Sequence, residues 1–72
     1  MNKQELIQSL KAKRNLCYQR FFEASKNWDK NLKLFGDAGH ICVRMDAEKM
    51  ECENARIEEI NELIHIVETL ED

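Results

Sequence analysis

The sequence has no proline and only two glycines, Gly36 and Gly39, among its 72 residues. Proline and glycine are the residues that most often end helices and form turns, so nearly the whole chain is free to be helical. No run approaches the roughly 18 apolar residues of a membrane span, and the N-terminal residues lack the apolar run of a signal peptide. These absences predict an all-α, cytoplasmic protein without a membrane segment.

The sequence also lacks the cysteine spacings that are typical of metal sites. Its three cysteines, Cys17, Cys42 and Cys52, are odd in number and form no Cys-x-x-Cys pair. His40 and Cys42 are two residues apart, which places them about 200° apart around a helix, and a structural zinc ion needs four ligands. We therefore expect free, reduced thiols, no metal and no cofactor.

Catalytic patterns are missing as well. His65 has no evident nucleophile or acid partner, and the many carboxylates of the second half diverge around a helix instead of forming an acid/base pair. Gly36 and Gly39 lack the rest of any phosphate-binding motif. A helical chain of only 72 residues offers no preorganised cleft. We therefore expect that the protein is not an enzyme and has no catalytic residues.

What the sequence does contain is a strong charge asymmetry. Residues 1–35 carry eight Lys or Arg and three acids, a net +5, whereas residues 36–72 carry three and eleven, a net −8. Opposite charges favour pairing between the two halves over pairing of like with like, although each exposed ion pair contributes only a few tenths of a kcal/mol.

Apolar residues recur at alternating spacings of three and four in both halves, which is the pattern of the packed seam of a helix. The first seam predicts a helix over about residues 2–35. It consists of Ile7, Leu10, Arg14, Cys17, Phe21, Ala24, Trp28, Asn31 and Phe35. The second seam predicts a helix over about residues 38–71. It consists of Val43, Asp46, Met50, Glu53, Ile57, Ile60, Ile64, Val67 and Glu71.

The second seam leaves two alternatives open, because Asp46 and Glu53 are charged. A rival frame through Cys42, Met45 and Cys52 would turn a different face inward. Alternatively, the helix begins only near Asp46, and residues 36–45 form a longer, extended connection that includes the β-branched stretch around Val43.

A turn at residues 36–37 would join the helices into one antiparallel hairpin, a single coiled-coil-like domain over residues 1–72. Gly36 suits the left-handed position after a helix, and Asp37 suits an N-cap. Facing residues would have numbers that add to about 74. This places Trp28 beside Asp46, as a donor to its carboxylate, and lets Arg14 pair with an acid of helix two such as Glu59.

Apolar residues outside both seams predict a further interface. A symmetric dimer that packs as a four-helix bundle would cover them; the alternatives are a different protein partner and scattered surface hydrophobes. The candidate dimer- or partner-binding residues are Leu16, Tyr18, Phe22, Met45, Cys52 and Ile66.

These features favour a small non-enzymatic regulator, inhibitor or adaptor that binds protein through helical surfaces; its acidic second helix would suit a basic partner, or imitate nucleic acid. One alternative is an RNA- or DNA-binding hairpin dimer that uses the basic residues of helix one. Its candidate residues are Lys11, Lys13, Arg14, Arg20 and Lys26. A second alternative is a structural coiled-coil subunit of a larger assembly.

Overall fold

The computed structural model describes residues 2–70 and consists of two antiparallel helices, α1 (Lys3–Phe35) and α2 (Ile41–Thr69). They form a rod that measures 54 by 15 by 12 Å. Within residues 2–70, neither helix combines the length and the apolar character that crossing a membrane requires. The predicted all-α hairpin is confirmed; Glu71, where the second helix was predicted to end, lies outside the described residues.

The interface between the helices follows the two predicted seams. The buried side chains are Cys17 and Ala24 of α1 and Val43, Glu53, Ile57, Ile64 and Val67 of α2. Every one of them is a predicted seam residue. Because α2 keeps the three-four spacing throughout, it cannot turn Glu53 outward without also exposing its apolar neighbours on the seam.

The two alternatives for helix two are wrong. Met45 and Cys52 are exposed and Cys42 is only half-buried, so the frame through these residues faces away from α1. The helix also does not begin near Asp46, since its first residue is Ile41 and Val43 is completely buried. Burial of Val43 against α1 outweighs the β-propensity of the stretch around it.

The connection begins at Gly36 as predicted, but it covers residues 36–40, so α2 begins at Ile41 instead of near residue 38. Gly36 ends α1 in the left-handed conformation, with φ 67° and ψ 14°, and its N–H donates to the carbonyl oxygen of Leu32 at 2.8 Å. A glycine adopts this conformation without the steric penalty of a Cβ atom.

Asp37, in contrast, is not the N-cap of α2. Its Oδ1 accepts the N–H of Gly39 at 2.8 Å, which makes a local turn. The N-cap is His40, whose Nδ1 accepts the N–H of Cys42 at 3.2 Å. The imidazole stacks on the ring of Phe35, with centroids 3.8 Å apart and planes 6° from parallel, so a contact between the two helix ends positions the cap.

Hydrogen bonds between the helices confirm the predicted register but correct the predicted partners. Asp46 accepts from the amide of Asn31 at 2.8 Å instead of from the Trp28 indole. The guanidinium of Arg14 donates to Asn61 at 2.8 Å instead of pairing with an acid. Residue numbers fix the level along the rod, but the direction in which each side chain leaves its helix selects the partner.

Ion pairs do not join the two helices within residues 2–70. The two that form there lie within one helix each: Lys33 with Asp29 at 3.2 Å and Arg56 with Glu53 at 3.3 Å. The charge asymmetry nevertheless persists in the folded rod, because α1 has eight Lys or Arg and three acids, a net +5, and α2 has three and eight, a net −5. Most of these charges lie on the outside of the hairpin.

Candidate protein-binding surface

The hairpin exposes more large apolar side chains than it buries. Its buried apolar residues are six, of which two are the small Cys17 and Ala24. The exposed large ones are Leu6, Leu16, Tyr18, Phe22, Leu34, Phe35, Ile41, Met45, Leu63, Ile66 and Leu70. This imbalance makes the outer surface, and not an internal cavity, the candidate functional site.

Most of these residues share a position relative to the seams, because each comes one residue before a seam residue. We call this surface the leading flank. It consists of Leu6, Leu16 and Leu34 of α1 and Cys42, Met45, Cys52, Leu63, Ile66 and Leu70 of α2. One residue earlier along a helix means a rotation of about 100°, so the leading flank borders the seam on one side.

The leading flanks of the two helices lie on the same side of the hairpin. Both helices are right-handed and they run in opposite directions, so the side that precedes the seam on α1 adjoins the side that precedes it on α2. On α2, nine positions precede a seam residue: 42, 45, 49, 52, 56, 59, 63, 66 and 70. Six of them are apolar, and Lys49, Arg56 and Glu59 occupy the other three. These six apolar residues form a second stripe along α2, beside the seam.

A shallow groove lies in the leading flank near the end of α2. Glu59, Glu62, Leu63 and Ile66 line its volume of about 330 Å³. Leu63 is 48% and Ile66 47% exposed, and carboxylates lie beside them. An apolar patch bordered by negative charge suits an apolar side chain that is flanked by cations.

Two of the predicted binding residues lie on the opposite side. Tyr18 and Phe22 each follow a seam residue, and this trailing flank is polar on α2 apart from Ala47. Phe22 is 61% exposed and meets Phe21 edge-on, with ring centroids 6.1 Å apart. The structure thus groups the predicted Leu16, Met45, Cys52 and Ile66 together and places Tyr18 and Phe22 elsewhere.

Five leading-flank residues were not among the predicted binding residues. They are Leu6, Leu34, Cys42, Leu63 and Leu70, and all but the half-buried Cys42 are exposed. When each helix is considered without its neighbour, these residues simply widen its seam. The signal that identifies them is their shared offset of one residue before the seam, which separates them from residues that point into the hairpin.

The candidate nucleic-acid-binding residues do not form one track. Arg14 is half-buried on the seam, where it bonds to Asn61. Lys13 and Arg20 precede seam residues, Lys11 follows one, and Lys26 lies on the outer face of α1. Lys13 and Arg20 thus share one side of α1, whereas Lys11, Arg14 and Lys26 point elsewhere, and the nucleic-acid-binding alternative stays a prediction.

Cys17 and Glu53 form the most enclosed polar cluster of the seam, at 5% and 4% exposure. Burial raises the pKa of the Cys17 thiol above its ordinary value, and the neighbouring Glu53 carboxylate raises it further. The thiol therefore stays protonated near neutral pH and is a poor nucleophile. Oε2 of Glu53 is buried without a hydrogen-bond partner, although Oε1 contacts Arg56.

Among residues 2–70, no three His, Cys, Asp or Glu side chains converge in an arrangement that would hold a metal ion. Comparison of the chain with protein-family models, curated proteins and solved structures gives no significant match.

Proposed function

We propose that this protein is a small non-enzymatic regulator or adaptor that binds protein by helix-on-helix packing, and that a second copy of the chain covers the leading flank to complete a four-helix bundle. The observation that carries the proposal is the stripe of apolar residues on the outside of α2, which occupies six of the nine positions that precede a seam residue.

The size of the face supports a second copy as its occupant. The hairpin measures 54 by 15 Å, an outline similar in size to the about 800 Å² per partner that a standard stable interface buries. The hairpin alone has a thin core, and chains of this size commonly gain stability from association. Two-fold dimers are the commonest assemblies, and packing two hairpins face to face makes a bundle.

The chemistry of the surface supports binding over catalysis. The groove beside Leu63 is open and shallow, and its carboxylates do not face a nucleophile or a base. The buried Cys17 thiol has a raised pKa and is enclosed by the seam, so it packs as a small apolar side chain and is not a nucleophile. Apolar residues at helical spacing, with charges beside them, are what a helix-packing interface needs.

The test is the mass of the protein in solution, measured by light scattering on a size-exclusion column under reducing conditions over a range of concentrations. We expect about twice the chain mass of 8.5 kDa. A single species of 8.5 kDa at every concentration would contradict self-association.

Two leading-flank variants and one control locate the interface. Ile66→Asp, and separately Met45→Asp, should give a monomer that keeps its helical circular dichroism, because a carboxylate buried in an apolar interface is costly. Phe22→Asp is the matched control: Phe22 is also exposed, at 61%, but lies on the trailing flank. It should leave the mass unchanged. Equal loss of the dimer in all three would show that the interface is not the leading flank.

A further inference from the structure

The leading flank carries an excess of positive charge beside its apolar residues. The positions that precede a seam residue hold five Lys or Arg and only two acids, a net +3. The cations are Lys13, Arg20 and Lys30 of α1 and Lys49 and Arg56 of α2, and the acids are Glu23 and Glu59. Two leading flanks that pack on each other bring together charge of the same sign, so the inference below rests on the proposed function.

Arg20 and Arg56 lie opposite each other in the middle of this flank. The hydrogen bonds between the helices join residues whose numbers add to 73–77. The numbers 20 and 56 add to 76, and each arginine lies one residue from the midpoint of its helix. Burial and the Glu53 carboxylate raise the pKa of the Cys17 thiol, and the charges of both arginines oppose this rise. The two guanidinium groups therefore lie near the same buried thiol.

The hairpin satisfies only part of this charge. Arg56 contacts Oε1 of Glu53 at 3.3 Å and its side chain stays 58% exposed. In the described part of the chain, the Arg20 side chain forms neither an ion pair nor a hydrogen bond, and Glu23 and Glu59 form no ion pair. Each copy thus presents two neighbouring guanidinium groups with one carboxylate partner, and most of their N–H donors are free to bind a ligand.

A two-fold dimer brings the four arginines together whichever way its axis runs. An axis parallel to the helices keeps every residue at its own level, and an axis perpendicular to them turns the rod about its centre. When the two leading flanks overlap over their full length, the centre of one meets the centre of the other in both arrangements. Four guanidinium groups that lose water at one place without a counterion would oppose association.

We propose that the dimer encloses a small multivalent oxyanion with phosphate chemistry, held between Arg20 and Arg56 of one copy and the same two residues of the other. The planar guanidinium group donates two parallel N–H bonds to a pair of phosphate oxygens, which suits it to this ligand. Each copy supplies half of the site, so the anion binds the dimer and not the separate chains. A small anion fits this position because the second copy covers the flank around it.

The apolar ends of the flank complement this charged centre. Leu6 lies level with Leu70 at the chain ends, and Leu34 lies level with Cys42 near the connection. Contacts between copies at these ends bury apolar surface, which favours association. The bound anion offsets the repulsion between the arginines in the middle. Dimerisation and anion binding therefore strengthen each other.

The test compares dimerisation in sodium pyrophosphate and in sodium chloride at the same ionic strength, measured by sedimentation equilibrium. The dissociation constant of the dimer should be at least about tenfold lower in about 10 mM pyrophosphate, because an anion that binds only the dimer favours association by mass action. Equal ionic strength removes the general effect of screening. Titration calorimetry should give one pyrophosphate for every two chains.

Two substitutions that each remove one positive charge from α1 locate the site. Arg20→Gln should reduce the effect of pyrophosphate to within about twofold, and in chloride it should dimerise at least as well as the original chain, because it removes repulsion between like charges. Lys26→Gln is the matched control: Lys26 lies on the outer face of α1, so this variant should keep the full effect. Circular dichroism confirms that both variants stay helical.

Each contrary result has a separate meaning. Equal dissociation constants in the two salts would show that the dimer needs no anion, so the site is wrong while the proposed dimer stands. A pyrophosphate effect that survives Arg20→Gln, or one bound anion for every chain, would place the anion elsewhere. A chain that stays monomeric in both salts would contradict the proposed self-association as well.

Discussion

The side-chain amide of Asn31 donates a 2.8 Å hydrogen bond to the carboxylate of Asp46 across the two helices, in a partly buried site close to the connection. Two polar residues thus occupy seam positions that apolar residues fill elsewhere. Because each satisfies the other, the pair fixes the register of α1 against α2 at the end where the helices are joined.

Removing one partner of this pair should destabilise the hairpin. Asn31→Ala leaves the Asp46 carboxylate half-buried without its donor, and we expect a loss of about 1–2 kcal/mol in the free energy of unfolding, measured in urea. Asp29→Ala is the control, because its ion pair with Lys33 is 61% and 77% exposed and should contribute under about 0.5 kcal/mol. Equal effects of the two substitutions would contradict the structural role of the Asn31 bond.

Glu53 should behave in the opposite way. Its side chain is buried and Oε2 has no partner, so Glu53→Leu should stabilise the protein by about 1–3 kcal/mol in the same measurement. Arg56 loses an ion pair but is 58% exposed and stays hydrated. Glu51→Leu, two residues away on the exposed surface, should change little. A destabilised Glu53→Leu would indicate that the carboxylate is satisfied in solution by a group such as bound water.

The raised pKa of Cys17 predicts a loss of stability in alkali. Burial raises the pKa of the folded thiol above its ordinary value of 9.0, and the Glu53 carboxylate adds to the rise. Well below pH 9.0 the thiol is protonated in both the folded and the unfolded state, so its contribution to the free energy of unfolding is fully present. Above it, the unfolded thiol ionises first, which favours unfolding until the folded thiol also ionises.

Urea unfolding of the original chain and of Cys17→Ala between neutral pH and about pH 10.5 isolates this contribution, because other groups titrate alike in both. The stability advantage of the original chain over Cys17→Ala should shrink as the pH rises. A pH-independent difference would mean that the folded thiol ionises as readily as the unfolded one.

Gly36 should tolerate no ordinary side chain without strain. Nothing lies within 4 Å of a Cβ atom built there, so the cost of Gly36→Ala comes from φ 67° alone and should be about 1 kcal/mol. Gly36→Asn should cost less, since asparagine tolerates the left-handed conformation. Thermal unfolding of both variants checks this order, and equal costs would place the strain elsewhere.

The sequence predicted the helices, the seams and the register because these depend on spacing. Arg14, Asp46 and Glu53 were assigned to the seams despite their charge, and the structure places all three there. Spacing is a property of the backbone helix, so one polar residue cannot leave the seam while its apolar neighbours remain.

The caps and partners were less predictable, since they depend on contacts between the helices. Asp37 is by itself a good N-cap, but the stacking of Phe35 on His40 gives that role to His40. Likewise, Asp46 had two donors near its level, Trp28 and Asn31, and only the directions of the side chains decide between them. The exposed apolar residues divide into two flanks only when the positions of both helices in the hairpin are known.

The five-residue connection gives the rod a gradient of amide hydrogen exchange from one end to the other. Contacts beside residues 36–40 join residues close in sequence, whereas Lys3 reaches the carbonyl oxygen of Leu70 across nearly the entire chain. Forming the distant contacts restricts a longer loop, and residues near chain ends open most readily. Among the hydrogen-bonded helix amides, those around Asn31 and Asp46 should therefore exchange more slowly than those around Ile7 and Val67.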